Sequence, residues 1–377
     1  MHLVDITMFH AAQGGGVSTY LNAKAHWFAS QHAGIRHTIF TPNPCTAQAS
    51  VRPLPGVALP GIHGYRMPLS VRAPARRLLA ARPHLVEAGD AGPCAWAALR
   101  LQQRHGVPAV AFYHSDLPSL VQRRLGRAAT CVVERYVTHL YRQFDMVLAP
   151  SRVMVRRLGE LGIGGAVHQP LGIDSTVFHP HRRSRSLRRQ LGLAPGTRLL
   201  VYAGRFTAEK KLDLLFDAVQ RLGSPYHLLL IGGGAQVPGS RHITQLPFKR
   251  DQRQLAHLLA SCDVLVHPGD CETFGLIVLE AMACGLPVVA SDGGGVAELV
   301  DQRTGILSRP DSAASLAEAI VAMYEGDMTE MGAHARRRAQ EQYDWQQVLP
   351  QLLERYSAVL AGRRRALPPP ERACISD

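Results

Sequence analysis

Apolar runs of strand length recur along the whole chain, and each is followed by a turn signal and a longer segment with helical spacing. The strand-like runs span residues 3–9, 38–41, 84–87, 107–112, 146–149, 166–169, 199–203, 227–231, 241–246, 262–267 and 287–290. Strands that are apolar on both faces and separated by helices are typical of parallel sheets covered on each side. The pattern therefore predicts an α/β protein with doubly wound parallel sheets.

The predicted helices fill the intervals between these strands. The first ends near residue 31, and the others span residues 71–81, 93–105, 117–144, 152–161, 212–222, 252–260, 274–284, 313–324, 329–342 and 345–360. The alternation is interrupted once, where residues 171–180 give way to an Arg- and Ser-rich run over residues 181–189. This interruption predicts a linker between two α/β domains.

The composition is that of a globular protein. A length of 377 residues suffices for two domains, and 46% hydrophobic with 19% charged residues excludes a disordered chain. No apolar run reaches the roughly 18 residues of a membrane span, and the first residues lack the basic-then-apolar pattern of a signal peptide. The seven cysteines form no C-x-x-C pair, which argues against a disulfide frame or a zinc site. We therefore expect a cytoplasmic protein.

The net charge of +13 is concentrated in the first half of the chain. Residues 1–180 carry 18 Lys and Arg against 8 Asp and Glu, whereas residues 181–377 carry 24 against 21. Such a positive field suits anionic lipid surfaces, nucleic acid or phosphorylated ligands, although an arginine-rich genome gives the same composition. The basic amphipathic segment 69–82 suits either an anionic bilayer or a solvated helix face. The same two alternatives apply to a second basic cluster within residues 123–127.

Two glutamates flank a predicted helix start in the second half. Glu272 follows a strand-like run, and Glu280 falls in the second turn of the next helix. Between them, the free N–H groups of Phe274, Gly275 and Leu276 form an anion site that the helix dipole strengthens. Two carboxylates around a phosphate-ready helix start suit a nucleotide-sugar, which has hydroxyls at both ends and phosphates in the middle. Taken singly, each glutamate is equally well explained as a solvated surface charge.

Two cations follow another strand of the same predicted sheet. Arg205 and Lys210 come after the run 199–203, and together they can neutralise a diphosphate leaving group without a metal. The chain contains no D-x-D motif, so we predict no essential metal. A surface ion pair is the alternative role for either cation.

The first half offers two further candidate groups at strand ends. His114 follows the run 107–112, where a histidine can donate a hydrogen bond to a reacting sugar or transfer a proton. Gly15 and Gly16 lie between the first strand and its helix, where glycines let a ligand approach the backbone. The pattern is not G-x-G-x-x-G, so a dinucleotide site is disfavoured, and a flexible turn remains the alternative.

Together these residues resemble a family 4 glycosyltransferase of the GT-B fold over essentially the full chain. The matching motifs are Gly14-Gly15-Gly16-Val17, Tyr113-His114-Ser115-Asp116, Pro150-Ser151-Arg152, Leu171-Gly172-Ile173-Asp174, Gly204-Arg205 with Glu209-Lys210-Lys211, and Glu272 with Phe274-Gly275 and Glu280. The region 61–69 with Tyr113–Asp116 is most similar to the branch of lipid-directed mannosyl- and sulfoquinovosyl-transferases.

The resemblance implies two Rossmann-like domains that face a cleft. The expected acceptor-side domain covers residues 1–180, and the expected nucleotide-sugar-binding domain covers residues 181–344. Residues 345–361 would form a helix that crosses back and packs on the N-terminal domain. Residues 362–377 are basic and rich in proline, which predicts a disordered tail.

The resemblance also implies a role for each candidate residue. Arg205 and Lys210 would hold the diphosphate, Glu280 the ribose hydroxyls, and Glu272 and His114 the transferred sugar. Backbone contacts to the donor would come from Phe274, Gly275 and Leu276, and from Gly15 and Gly16.

The expected activity is retaining transfer of a hexosyl unit from a UDP- or GDP-linked sugar to a hydroxyl acceptor, with a membrane lipid or glycolipid as a candidate. No cofactor besides the donor is expected, and the basic first domain predicts peripheral contact with the inner face of the cytoplasmic membrane. A GT-B epimerase or phosphorylase is the alternative within enzymes. A basic nucleic-acid-binding protein is the alternative outside them, although no aromatics alternate with the cations and no reader motif occurs.

Overall fold

In the computed structural model the described residues are 1–12, 14–44, 49–59, 64–234, 236–237 and 239–366. The strands are β1 His2–Ile6, β2 Arg36–Thr41, β3 Val51–Pro53, β4 Val57–Ala58, β5 Arg66–Met67, β6 Leu85–Ala88, β7 Ala109–Phe112, β8 Met146–Ala149, β9 Val167–His168, β10 Arg198–Phe206, β11 Tyr226–Gly234, β12 Ile243–Leu246, β13 Val264–His267, β14 Val288–Ser291 and β15 Gly305–Ser308. The α-helices are α1 Gly16–Gln31, α2 Arg72–Ala81, α3 Pro93–His105, α4 Leu117–Tyr141, α5 Arg152–Glu160, α6 Ser186–Gln190, α7 Leu212–Leu222, α8 Gln252–Ala260, α9 Leu276–Ala283, α10 Ala313–Glu325, α11 Met328–Tyr343 and α12 Trp345–Ala366.

Two parallel sheets organise these elements, as the strand pattern predicted. The first has the order β3-β2-β1-β6-β7-β8-β9 and the second the order β12-β11-β10-β13-β14-β15. The pairs β1–β2, β1–β6, β10–β11 and β10–β13 are all parallel. In each sheet the order reverses beside its first strand, and α/β proteins bind ligands at the carboxyl ends of the strands at such a point.

The chain divides into two compact units. The first unit comprises residues 1–113 and 137–148 and the chain from Leu349 onward, and the second unit comprises residues 114–136 and 149–348. The core of the second unit lies on its sheet, where the Leu, Val and Tyr side chains of β10, β11 and β13 pack against α7 and α10. Their burial follows from strands that are apolar on both faces.

A buried polar network joins α12 to the sheet of the first unit. Nζ of Lys24 lies 2.7 Å from Oδ1 of Asp5 and 3.2 Å from Oε1 of Glu87, and it donates a 2.6 Å hydrogen bond to the hydroxyl of Tyr356 on α12. The Tyr356 hydroxyl in turn donates to Glu87. Buried charges are stable only when they are paired in this way.

Local signals account for several helix boundaries. Helix α3 has Pro93 in its first turn and ends at Gly106, which adopts a left-handed conformation with φ of 66°. The Ser151 hydroxyl accepts a hydrogen bond from the Met154 amide and so caps α5. Helix α4 is interrupted at Gly126, whose φ of 75° and ψ of −175° are not helical.

The structure corrects the interpretation of residues 181–189 as a plain linker. Helix α6 begins there, and Leu187 is buried. Arg188 Nη2 donates to both carboxylate oxygens of Asp263 at 2.7 and 2.6 Å, and Asp263 immediately precedes β13. The segment is therefore fixed to the second unit by tertiary contacts that its local sequence does not show.

Other elements differ from the sequence prediction at their ends. Strand β15 and the short strands β3, β4 and β5 were not predicted. Helix α12 continues to Ala366, beyond the predicted end at residue 361, and the rest of the predicted disordered tail, residues 367–377, lies outside the described residues. Within the described part of the chain, none of the helices is both long and apolar enough to span a bilayer.

Candidate functional site

The loop that carries Glu272 lies at the carboxyl end of β13 and is held by backbone contacts. The amide of Gly295 donates a 2.7 Å hydrogen bond to the carbonyl of Glu272. A Cβ atom added at Gly295 would lie 2.4 Å from the carbonyl oxygen of Thr273, so only glycine fits against the loop without displacement. The glycine segment 293–295 therefore packs directly against the glutamate loop and supports it.

Two side-chain contacts fix the same loop from the other direction. The hydroxyl of Thr273 donates to the carbonyl of His114 at 2.9 Å, and the hydroxyl of Ser151 donates to the carbonyl of Thr273 at 2.8 Å. The sequence motifs around His114 and Ser151 thus meet the Glu272 loop within the second unit. No sequence pattern signals this meeting, because the residues are more than 120 positions apart.

Glu272 is a half-buried carboxylate with two basic partners. Its Oε1 contacts Nζ of Lys210 directly and lies 3.2 Å from Nε2 of the buried His267. Burial by itself raises the pKa of Glu272, but the charge of Lys210 and the hydrogen bond with His267 outweigh it and hold the pKa well below its usual value. Glu272 is therefore ionised at neutral pH and acts as an acceptor of hydrogen bonds.

The helix start that follows Glu272 presents unpaired amides. Gly275 precedes α9 with φ of 102°, a left-handed conformation, and an added Cβ there would lie 2.7 Å from Cγ2 of Val296. The N–H groups of Phe274, Gly275 and Leu276 make no hydrogen bond with the described residues. The Phe274 ring is buried, and its centroid lies 6.0 Å from that of the Tyr343 ring. These amides can bind an anion at the positive end of the helix dipole.

Glu280 occupies the second turn of α9, as predicted, and only 8% of its surface is exposed. Burial raises the pKa of this carboxyl to about 8. Among the residues that the structure describes, none forms an ion pair or a hydrogen bond with its side chain. A buried carboxyl of this kind is unfavourable unless a ligand supplies hydrogen-bond donors.

Arg205 lies near the carboxyl end of β10 and Lys210 follows that strand, which pairs with β13 at the point where the sheet order reverses. Lys210 ends a short 3-10 helix over Ala208–Lys210 and contacts Glu272. Arg205 is exposed, and its guanidinium makes no ion pair with the described residues. The structure thus brings Lys210 and Glu272 into contact, whereas Arg205 at the same sheet edge has no acidic partner among the residues described.

Two family profiles match the chain. The profile described as Glycosyltransferase Family 4 matches residues 14–177, and that of Glycosyl transferases group 1 matches residues 197–326. The GDP-mannose-dependent alpha-(1-6)-phosphatidylinositol dimannoside mannosyltransferase of Mycobacterium tuberculosis is 30% identical over 386 residues, which cover 97% of this chain and 98% of that protein. The chain belongs to the family 4 glycosyltransferases.

A further relative agrees with this family, and solved structures show the fold. The sulfoquinovosyl transferase SQD2 of Arabidopsis thaliana is 29% identical over 293 residues, 74% of this chain and 58% of that protein. The sucrose-phosphate synthase of Thermosynechococcus elongatus superposes with a TM-score of 0.80 at 22% identity, over 96% of this chain and 100% of that one. Anabaena HepE in complex with UDP-glucose gives 0.77 at 20% identity, over 95% and 100%. The glycosyltransferase has the GT-B fold.

The structure also places the three predicted site residues of the first half of the chain. His114 lies between β7 and α4, half-buried, and its carbonyl accepts the hydrogen bond from Thr273. Gly15 caps α1 in the first unit, and a Cβ atom added there meets no other atom within 4 Å, whereas one at Gly14 would collide with Ser18. Gly16 is the first residue of α1.

A charged cluster next to Glu272 joins residues that the sequence analysis did not place together. Asp270 accepts from Lys211 at 2.6 Å and from Arg123 at 3.0 Å, and Lys211 also contacts Asp311 at 2.6 Å. The hydrogen bonds from Lys211, Cys271 and Arg123 outweigh the effect of burial and lower the pKa of Asp270. Lys211 is thus compensated by two aspartates, whereas Lys210 contacts Glu272.

Proposed function

We propose that this glycosyltransferase moves a hexosyl unit from a UDP- or GDP-linked sugar to a hydroxyl acceptor, with retention of anomeric configuration and without an essential metal. The observation that carries the proposal is the arrangement around α9 in the second unit. One loop and helix carry an ionised Glu272, together with a buried Glu280 and three amides that have no partner among the described residues. These groups match the sugar, the ribose and the phosphates of a nucleotide-sugar.

The role of each residue follows from its charge and its partners. Arg205 and Lys210 neutralise the diphosphate as negative charge develops on it. Glu280 accepts hydrogen bonds from the ribose hydroxyls, and Glu272 accepts them from the hydroxyls of the transferred sugar. The amides of Phe274, Gly275 and Leu276 bind a phosphate oxygen.

Two further roles rest on the family resemblance. It assigns Gly15 and Gly16 to the approach of the donor phosphates, and the open space around Gly15 agrees with that role. It assigns His114 to a hydrogen bond with the sugar.

Retention follows if the acceptor attacks from the face that the diphosphate leaves. The bond between the anomeric carbon and the phosphate oxygen breaks, and the acceptor oxygen forms the new bond on the same side. The departing phosphate oxygen takes the proton of the acceptor hydroxyl, so no protein base is required. Lys210 stabilises that leaving group because its ammonium carries a full positive charge.

The relatives suggest where to search for donor and acceptor. The M. tuberculosis relative is named for GDP-mannose and phosphatidylinositol dimannoside, and SQD2 is named for sulfoquinovose. We therefore place GDP-mannose first among the donors and a membrane glycolipid or lipid first among the acceptors. Peripheral contact with anionic membrane is supported by α2, which carries exposed arginines and the exposed Leu79.

A thermal-shift screen tests the donor, because a ligand that binds the folded state raises the melting temperature by mass action. GDP, UDP, ADP and their sugar conjugates are compared with and without EDTA. We expect one nucleotide family to raise the melting temperature, and its sugar conjugate to be turned over equally with the chelator present. Release of a sugar phosphate or an epimer instead of a glycoside would overturn transfer, and loss of turnover in EDTA would overturn metal independence.

A further inference from the structure

A cavity of about 390 Å³ lies between α2 and α3 in the first unit. Four arginines and a histidine line it, together with apolar side chains that include Leu79 and Leu101. The basic lining residues are Arg72, Arg76, Arg100, Arg104 and His105. Ligand sites that bind small molecules commonly have volumes of about 300–1,000 Å³. The cavity is large enough for a phosphate together with part of the group that carries it.

The positive charges of this cavity are not compensated by any acidic residue in the described part of the protein. Neither α2 nor α3 contains an acidic residue. Within the described part of the chain, the guanidinium groups of the four arginines make no ion pair and no hydrogen bond. Arg77, on the same helix but outside the cavity, does have a protein partner, because its Nη1 donates to the carbonyl of Pro53 at 2.5 Å. The four cavity arginines are therefore available to a ligand.

The spacing of the arginines brings like charges together. Arg72 and Arg76 are four residues apart on α2, and Arg100 and Arg104 are four residues apart on α3, so each pair lies on one helix face. Desolvation and the charges of Arg104 and Arg72 lower the pKa of Arg100, which places these side chains in one electrostatic environment. Like-charge pairs at this spacing destabilise a helix, and an anion bound between them removes that repulsion.

A cavity in the second unit combines an arginine cluster with acidic residues. It has about 440 Å³ and is lined by Arg303, Arg337 and Arg338, but also by Asp301 and Glu341. Arg338 Nη1 lies 2.5 Å from Oδ2 of Asp301. Arginine clusters in this chain can therefore include acidic partners, and the cavity between α2 and α3 differs in having none among the described residues.

We propose that the cavity between α2 and α3 is a phosphate-binding site separate from the donor site. Arginine presents two parallel N–H groups that match two phosphate oxygens, so two facing pairs suit one phosphomonoester or phosphodiester. Leu79 and Leu101 offer a surface for the adjoining organic group. The same chemistry belongs to a lipid headgroup phosphate and to a soluble phosphorylated metabolite. The proposal does not depend on the transfer reaction, since binding is measured without a nucleotide-sugar.

The test uses the full chain and two double variants of equal charge change. Arg76→Gln with Arg100→Gln alters the proposed site, and Arg303→Gln with Arg337→Gln alters the compensated cavity as a matched control. Calorimetry with glycerol 3-phosphate measures the soluble source. Sedimentation with vesicles of phosphatidylcholine containing phosphatidylglycerol, or of phosphatidylcholine alone, measures the lipid source. Circular dichroism and melting temperature confirm that each variant folds.

We expect the site variant to lose about tenfold or more in affinity for at least one phosphate source, and the control variant to bind as the unaltered protein does. Loss toward glycerol 3-phosphate alone identifies a soluble ligand, and loss toward the anionic vesicles alone identifies a lipid. Equal losses in both variants would show that only net charge matters, and would overturn the site. Absence of binding to both sources by the unaltered protein would overturn it as well.

Discussion

At the scale of single residues, the contact between Lys210 and Glu272 joins two groups that are assigned to different parts of the donor. In the structure, Lys210 neutralises Glu272, and His267 shares the same carboxylate oxygen. A diphosphate is a stronger competitor for the ammonium group than one carboxylate, because it carries more negative charge. Donor binding should therefore transfer Lys210 to the phosphates and leave Glu272 with His267 and the sugar hydroxyls.

Replacing Lys210 by alanine should lower the rate of transfer by about a hundredfold or more, the magnitude observed when one donor to a developing negative charge is removed. Donor hydrolysis should fall in parallel, while the circular dichroism spectrum stays the same. The matched control is Lys211→Ala, because Lys211 is compensated by Asp270 and Asp311. A Lys210→Ala enzyme with unchanged turnover would remove this residue from the diphosphate site.

Glu280 gives a prediction that depends on pH. Burial raises the pKa of its carboxyl from the ordinary value of 4.5 to about 8, so at pH 7 it is mostly protonated in the free protein. Ribose hydroxyls that donate to the carboxylate favour its ionised form and lower this pKa. Nucleotide binding near pH 7 should then release a proton, and the affinity should rise between about pH 6 and pH 8.

Titration calorimetry in buffers of different ionisation enthalpy measures that proton. The Glu280→Gln variant should show no release and a flatter dependence of affinity on pH. A carboxyl with a raised native pKa lowers the free energy of unfolding progressively as the pH rises from about 4.5 toward 8. The Glu280→Gln variant lacks this destabilisation. Proton release of equal size in Glu280→Gln would assign the titration to another group.

At the scale of elements, the glutamate loop depends on the glycine segment that supports it. A Cβ atom at position 295 would lie 2.4 Å from the carbonyl oxygen of Thr273 and 2.7 Å from Cα of Phe274, and both are backbone atoms that cannot move independently. Gly295→Ala should therefore cost about 1–3 kcal/mol of stability and displace Glu272, with a loss of transfer activity.

Gly159→Ala is the matched control for this substitution. Gly159 lies in α5 of the same unit, is exposed, and has no atom within 4 Å of an added Cβ. Its replacement should leave activity unchanged and raise stability slightly, because alanine favours the helix. Chemical denaturation measures the stability of both variants, and a transfer assay measures their activity. Equal effects of the two substitutions would show that the loop tolerates a side chain.

The elements also show which features the sequence could predict. Helices α2, α3, α7 and α8 were predicted within one residue, because apolar periodicity coincides there with local stop signals such as Gly106. Helix α6 was missed because Arg188 and Leu187 are stabilised by Asp263 and by burial, neither of which has a local signature. Glu272 and Glu280 were predicted on their loop and helix, but the Lys210 contact spans 62 positions and needed the fold.

The buried hydrogen bonds of Tyr356 on α12 lead to a second prediction at this scale. The Tyr356 hydroxyl accepts from Lys24 and donates to Glu87, and all three side chains are buried. Tyr356→Phe leaves a buried ammonium and a buried carboxyl each without one partner, which should cost about 1–3 kcal/mol. Faster hydrogen exchange in α12 should accompany the lower melting temperature.

Tyr324 supplies the control for that substitution. Its hydroxyl oxygen is buried without a hydrogen-bond partner among the described residues, so Tyr324→Phe removes no hydrogen bond that they make. We expect Tyr324→Phe to be neutral or stabilising, since an unsatisfied buried hydroxyl is unfavourable. If both variants lost equal stability, the loss of a hydroxyl group, and not the network, would explain the effect.

At the scale of the whole molecule, the charge is divided unevenly between the halves of the chain. Residues 1–180 have an excess of ten positive charges, whereas residues 181–377, which contain the glutamate loop, have an excess of three. A positive field over the first half suits attraction to an anionic surface, and the acidic groups near Glu272 are matched by lysines in their own unit. The two halves therefore differ in the ligands that their charge favours.

Binding to vesicles with phosphatidylglycerol should consequently be steeply salt-dependent. The Debye length falls from about 10 Å at 0.1 M salt to about 3 Å at 1 M, so attraction between exposed arginines and lipid phosphates should largely disappear over that range. Sedimentation at several salt concentrations measures this, with neutral vesicles as the baseline. Membrane contact can rest on the charge of the arginines or on insertion of apolar side chains. Leu69, of which 76% is exposed, distinguishes these two modes. If Leu69→Gln abolished binding at low salt, insertion of apolar side chains would replace charge as the explanation, and absence of binding at low salt would remove membrane contact altogether.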